Sequence, residues 1–179
     1  MKKHLPKLIL VVAILLTISI VFISCQRKDP TDILNNGMKA LNDKNYNKAI
    51  EHFSKAIEIY PYFAEPYYYR GDAYYKMKNY EEAIADFTRC IDYDPNHAEA
   101  YCSRGDAYYD LYDYSNAIHD YSKAIELDPD NTYYYTSRGS SYYLRDKGDD
   151  ISKSMNDFRK GCELGSKSAC RRLKKLFNE

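Results

Sequence analysis

Five cysteines and four histidines are the side chains of this 179-residue chain best suited to covalent or metal chemistry, and their spacing gives them little in common. No two cysteines stand in a C-x-x-C arrangement, and His52, His97 and His119 are scattered, so a tetrahedral zinc site has no ligand pair to start from. No metal and no cofactor is expected. Cys162 should end one helix and Cys170 begin the next, so the two face each other across a turn. In an oxidising compartment a disulfide between them is expected. Cys90 and Cys102 should lie on successive antiparallel helices, where two buried thiols and a bridge both remain open.

The other chemistry-bearing patterns are missing. The sequence has no glycine-rich phosphate loop, no G-x-S-x-G and no H-E-x-x-H. The acid pair Asp149-Asp150 falls in a turn and is more simply a helix start. No catalytic residues are assigned, and the chain is not expected to be an enzyme. Charge argues against nucleic acid as well. Without residues 1–24, 23 basic side chains face 26 acidic ones, a net of −3, and phosphate binding needs a clustered basic face. Tyrosine is the outlier, with 21 residues against 6 Phe and no Trp. Its rigid ring and single hydroxyl suit half-buried seams and contact surfaces.

The elements that must position these side chains repeat. Gly37, Gly71, Gly105 and Gly139 lie 34 residues apart, and Pro61, Pro95 and Pro129 keep the same interval. A period of that length marks stacked helical hairpins. Each unit reads as an aromatic-rich helix containing the glycine, a short break, a second helix, and a turn ending in proline. In the second unit Ala83, Phe87, Cys90 and Ile91 share one face of a 3.6-residue helix, and Asp94-Pro95 stops it. Gly71 lets its helix approach the next closely, and small Ala83 and Cys90 receive the facing ridges.

This pattern resembles the tetratricopeptide repeat (TPR). Its marks fall on Gly37, Ala49, Phe53, Ala56 and Pro61, then on Tyr67, Gly71, Tyr74, Ala83, Phe87, Cys90 and Pro95, then on Tyr101, Gly105, Tyr108, Ala117, Tyr121, Ala124 and Pro129. A fourth unit begins with Tyr135, Gly139 and Tyr142 and carries about three extra residues around Lys147-Gly148-Asp149, so that Phe158 takes the aromatic slot late. The resemblance implies an all-α, right-handed α-solenoid with repeats at 30–63, 64–97, 98–131 and 132–165. The end of the fourth unit, from Gly161 to Cys170, is similar to Sel1-like repeats, some secreted members of which bridge cysteines at this spacing. Residues 166–179 should form a capping helix, with Leu173 and Leu176 on one side and Arg171, Arg172, Lys174 and Lys175 on a solvated face.

The N-terminus reads as an address. Lys2, Lys3 and Lys7 precede a run of 16 almost unbroken apolar residues, Leu8 to Ile23, which has the layout of an export signal and is short for a membrane span. Its end, Phe22-Ile23-Ser24-Cys25, resembles the signal of bacterial lipoproteins, with Phe22 in place of the usual leucine. The resemblance implies a signal peptide over 1–24, lipidation of Cys25, and a tether over 25–29. The folded part would then be anchored in the bacterial cell envelope, outside the cytoplasm. Gln26 rather than Asp after the cysteine implies the outer membrane of a Gram-negative cell. Residues 26–30 span at most about 17 Å, so the domain would ride close to the bilayer.

In tetratricopeptide proteins the first helix of each pair lines a concave groove. On this sequence those positions are Glu65, Tyr68, Asp72, Tyr75 and Lys76, then Glu99, Cys102, Ser103, Asp106, Tyr109 and Asp110, then Tyr133, Thr136, Ser140 and Tyr143. Chaperone-type members clamp a terminal carboxylate with Lys, Arg and Asn at such positions. Here the slots hold acids, tyrosines and hydroxyls, which would repel that ligand and prefer a segment with basic and apolar side chains. Arg70, Arg104 and Arg138 precede the repeat glycines and should pair with acids on adjacent helices. The Arg-Gly-Asp tripeptides at 70–72 and 104–106 lie inside helices and are by-products of the repeat. The expected function is a membrane-tethered adaptor that binds a protein or peptide partner in the groove, with a surface effector or a plain spacer as alternatives.

Overall fold

The computed structural model describes residues 30–177; the expected signal segment, Cys25 and the tether lie outside them. The described residues form nine helices and no strand. These are α1 Pro30–Asn42, α2 Tyr46–Ile59, α3 Ala64–Lys76, α4 Tyr80–Tyr93, α5 Ala98–Asp110, α6 Tyr114–Leu127, α7 Thr132–Arg145, α8 Asp150–Glu163 and α9 Lys167–Phe177. Each helix packs on the next in sequence, and α1, α3, α5 and α7 also touch one another in turn. The odd-numbered helices therefore share one face of an α-solenoid. None of the described helices is long and apolar enough to cross a membrane.

Local chemistry sets the boundaries. The side chains of Asn45, His97, Asp113 and Asn131 each accept a hydrogen bond from a first-turn amide and so cap α2, α5, α6 and α7. The prolines at 61, 95 and 129 lie just past the ends of α2, α4 and α6. Between the two helices of each hairpin one non-glycine residue takes left-handed backbone, Lys44, Lys78, Tyr112 and Asp146, with φ of 58°, 65°, 62° and 46°, and the longer fourth break adds Gly148 at 57°. No glycine marks the four recurring positions, so the period alone did not disclose them. In the fourth hairpin α7 is one residue longer than α5, and the break before α8 is also longer. This absorbs most of the expected insertion and leaves Phe158 buried in the aromatic slot.

The core is a string of small clusters rather than one centre, as expected where each unit buries its face only against its neighbours. Phe53, Phe87, Tyr121 and Phe158 are its largest members, each almost fully buried. Two glycines explain the close approach. A Cβ on Gly71 would stand 2.9 Å from the Phe87 ring, and one on Gly105 would stand 3.0 Å from the Tyr121 ring. The glycine of the first helix is the seat for the aromatic ring of the second.

A guanidinium fork recurs at each seam. Arg70 donates from Nε and Nη2 to Asp86, both at 2.7 Å, and from Nη1 to Ser54 Oγ at 3.0 Å. Arg104 repeats this with Asp120 and Thr88, and Arg138 with Asp157 and Ser122. Each arginine thus ties its own hairpin's second helix to that of the hairpin before. The guanidinium also lies over the ring of Tyr67, Tyr101 or Tyr135, three residues earlier and 5.6–5.9 Å away. The expected pairing of these arginines with adjacent acids is what the structure contains. In the first hairpin the equivalent positions hold Asn36 and His52, and the series begins one unit later.

At the C-terminal end α9 buries Ala169 and Leu173 against Phe158. Cys162 and Cys170 are joined by a disulfide, with Cα atoms 4.7 Å apart. Cys90 and Cys102 are free, buried thiols in two different core clusters, which resolves the alternative left open by the sequence.

Candidate functional site

Successive helical turns place Asp106, Tyr109 and Asp110 of α5 on one face. Because α3, α5 and α7 touch in turn, Tyr75 stands on one side of that face and Tyr133, Thr136, Ser137 and Ser140 on the other. The helix α9 closes the end with Ser168 and Arg172. These residues and the buried Tyr121 enclose a cleft of about 350 Å³.

Hydrogen bonds fix its floor. The Tyr121 hydroxyl donates to Asp106 Oδ1 at 2.7 Å, and the Tyr133 hydroxyl lies 3.1 Å from both Asp106 oxygens. The Tyr75 hydroxyl crosses from the preceding repeat to donate to Asp110 Oδ2 at 2.7 Å. Thr136 and Ser140 donate to backbone carbonyls of α7, and Thr136 also meets Ser166 Oγ at 3.5 Å, so Ser140 keeps both lone pairs and Thr136 one as acceptors. Burial pushes the Asp106 carboxyl up to about 6, against the two tyrosine hydrogen bonds that lower it, while the neighbouring Asp110 charge adds to the rise. Burial, followed by the bond to Asp110, raises Tyr75 well above the ordinary phenol range. The Tyr133 phenol is raised too, first by burial and then by the Asp106 charge.

Of the fifteen groove positions expected from the sequence, Tyr75, Asp106, Tyr109, Asp110, Tyr133, Thr136 and Ser140 meet in this cleft. The other eight do not line it. Tyr68 packs on the His97 ring at 4.8 Å and against Phe87, Asp72 sits 3.6 Å from Lys76, Glu99 is near His97, and Tyr143 meets Phe177 edge-on. Sequence reasoning missed four contributors, Tyr121, Ser137, Ser168 and Arg172. Tyr121 is a core aromatic whose hydroxyl reaches through to Asp106. Arg172 is exposed, as a solvated face requires, yet it also walls the cleft, with its guanidinium 5.8 Å from the centre of the Phe158 ring. Its position next to Leu173 on the edge of the apolar stripe was the available signal. Among the described residues no group of His, Cys, Asp and Glu could hold a metal ion.

Comparison with known proteins agrees with the packing. A TPR-repeat family model matches residues 43–78 and 71–111, and a tetratricopeptide-repeat model matches 98–131. No curated protein matches the chain. Among solved structures the chain is similar to MamA, at 25% identity over 83% of this chain and 85% of that one, with a TM-score of 0.73. It is also similar to the first TPR of Spaghetti (RPAP3) bound to the HSP90 peptide SRMEEVD, at 26% identity over 64% of this chain and 90% of that one, with a TM-score of 0.60. The TPR domain of Arabidopsis OM64 matches at 26% identity over 66% and 96%, with a TM-score of 0.61. Residues 43–131 carry tetratricopeptide repeats, and the described residues fold as a tetratricopeptide-repeat solenoid.

Proposed function

We propose that this protein is an adaptor, tethered to the bacterial cell envelope through lipidated Cys25, that holds a protein segment on the shared face of its odd-numbered helices. The observation that carries the reading is the cleft itself. Tyrosines and acids from three successive repeats converge there, on the face where tetratricopeptide repeats take their partners. The solved neighbour with an HSP90 peptide supports a peptide-sized ligand. That peptide carries two glutamates and a terminal aspartate, and the like charge of Asp106 and Asp110 selects against such a sequence here. The tether rests on the lipoprotein-like Ser24-Cys25 segment, and envelope assembly is the role that fits an adaptor held there.

The test is photo-cross-linking in the native envelope from a photoreactive residue in place of Tyr75 or Tyr109. The expected result is one common partner from both positions. None should come from a control at Arg89, which is exposed on α4. Absence of any protein adduct at both cleft positions would sink the adaptor reading.

A further inference from the structure

We propose that the cleft seats the ammonium or guanidinium group of one lysine or arginine side chain of the partner, between the Asp106 and Asp110 carboxylates. This rests on the adaptor reading and names the chemistry that the partner must bring. The repeat supplies its own comparison. One period before Asp106 stands Asp72, and one turn further along its helix Lys76 provides a cation 3.6 Å away. One turn beyond Asp106 stands Asp110 instead. The internal counter-ion of the second repeat has become a second acid in the third, at the point where the cleft opens.

The contrast extends to the other recessed carboxylates. Asp86, Asp120, Asp150 and Asp157 are each gripped by both arms of an arginine fork. Asp106 receives only the hydroxyls of Tyr121 and Tyr133, and Asp110 that of Tyr75. Phenol donors satisfy lone pairs without neutralising charge, and two acids one helical turn apart repel each other. The charged and titratable groups facing the pair are Tyr75 and Lys76 from α3, Tyr80 from α4, Cys102 and Tyr109 from α5, Tyr121 from α6, Tyr133 from α7 and Arg172 from α9. Neither cation makes an ion pair with Asp106 or Asp110: Lys76 is engaged with Asp72, and Arg172 lies over Phe158. A guest cation relieves the repulsion, its apolar stem lies along the tyrosine rings, and the lone pairs of Ser140 and the remaining one of Thr136 accept its other N–H groups.

Fluorescence anisotropy on the full chain in detergent tests this with labelled Ala/Leu peptides that carry Arg, norleucine or Glu at the centre. The Arg peptide should bind about tenfold more tightly than the norleucine peptide, the effect of one well-formed charge pair. That advantage should vanish in Asp106→Asn and in Asp110→Asn and persist in Asp92→Asn, a control on the exposed face of α4. Circular dichroism verifies that each variant is folded, and the two cleft variants back each other up. Arg-peptide affinity should also fall between pH 7.5 and 5 in the parent and stay flat in Asp106→Asn. Equal binding of the Arg and norleucine peptides would overturn the cation seat and leave the groove standing. Tighter binding of the Glu peptide would assign the cleft to Arg172 and overturn it too. Failure of every peptide to bind would remove the adaptor reading and this inference together.

Discussion

Arg104 and Asp120 are locked across the seam between α5 and α6 by two hydrogen bonds, Nε to Oδ2 at 2.7 Å and Nη2 to Oδ1 at 2.9 Å. The acid is 2% exposed and the arginine 14%, so neither charge has water as an alternative partner. Asp120→Ala is therefore expected to destabilise the protein by about 3 kcal/mol, because it strands a recessed guanidinium. Arg104→Met with Asp120→Leu should cost less than the two single changes added together. A double-mutant cycle by urea unfolding reads the coupling, and additive singles would show that the fork contributes nothing.

Gly71 sits under Phe87, and the 2.9 Å that separates the ring from a hypothetical Cβ is too short for a core that cannot move. Alanine is the better helix former by about 1 kcal/mol. Overpacking of a buried ring costs about 1–3 kcal/mol and should win. Gly71→Ala is expected to lose about 1 kcal/mol in chemical denaturation. A gain in stability would mean that the seam is loose enough to take a methyl group.

The period of glycine, aromatic and proline was enough to reveal the helical hairpins and their solenoid stacking, because those slots are dictated by backbone approach and helix termination. Other features were hidden for physical reasons. The left-handed positions at Lys44, Lys78, Tyr112 and Asp146 carry no glycine, so residue type gave no sign of them. That Arg70 would pair with an acid was legible, whereas its choice of Asp86 depends on how two antiparallel helices register. Arg172 was read by helix face alone, and its entry into the cleft depends on where α9 docks.

Docking of α9 is held by the Cys162–Cys170 bond, which closes a short loop at the end of the array. A disulfide of that span is worth about 2–3 kcal/mol in chain entropy. Reduction, or Cys170→Ser, should raise amide exchange across 167–177 well before it affects α3 to α6. Alkylation should find Cys90 and Cys102 protected until the chain unfolds, since both thiols are buried. Burial also pushes Cys90 up to about 12, which leaves almost no thiolate at neutral pH. Rapid labelling of either thiol in the folded protein would contradict this packing.

The proposed anchor makes a separate prediction. Cys25→Ala should abolish incorporation of labelled fatty acid in growing cells, while residues 30–177 keep their helical circular dichroism. Their nine helices and their contacts are formed without that residue. Undiminished fatty-acid labelling of the variant would place the lipid on another residue.

Two carboxylates give the stability profile opposite slopes. Asp150 accepts both arms of Arg145 at 2.8 Å and the Lys147 amide at 3.0 Å. Those bonds, the Arg145 one foremost, lower its carboxyl to about 2. A depressed folded value means that the stabilisation is present above about pH 4 and is lost as the pH falls toward 2. Asp106 runs the other way. Burial raises it to about 6, so its contribution favours the folded state below about pH 4 and is lost as the pH rises through 6. Asp106→Asn should therefore gain about 1 kcal/mol over the parent at pH 7.5, once solvent screening is allowed for, and lose that advantage at pH 4. Asp150→Asn should be the less stable variant at pH 7.5 and converge on the parent near pH 2. Thermal unfolding across pH 2–8 separates the two, and a parent-like pH dependence in Asp106→Asn would mean that its carboxyl is not raised by the fold.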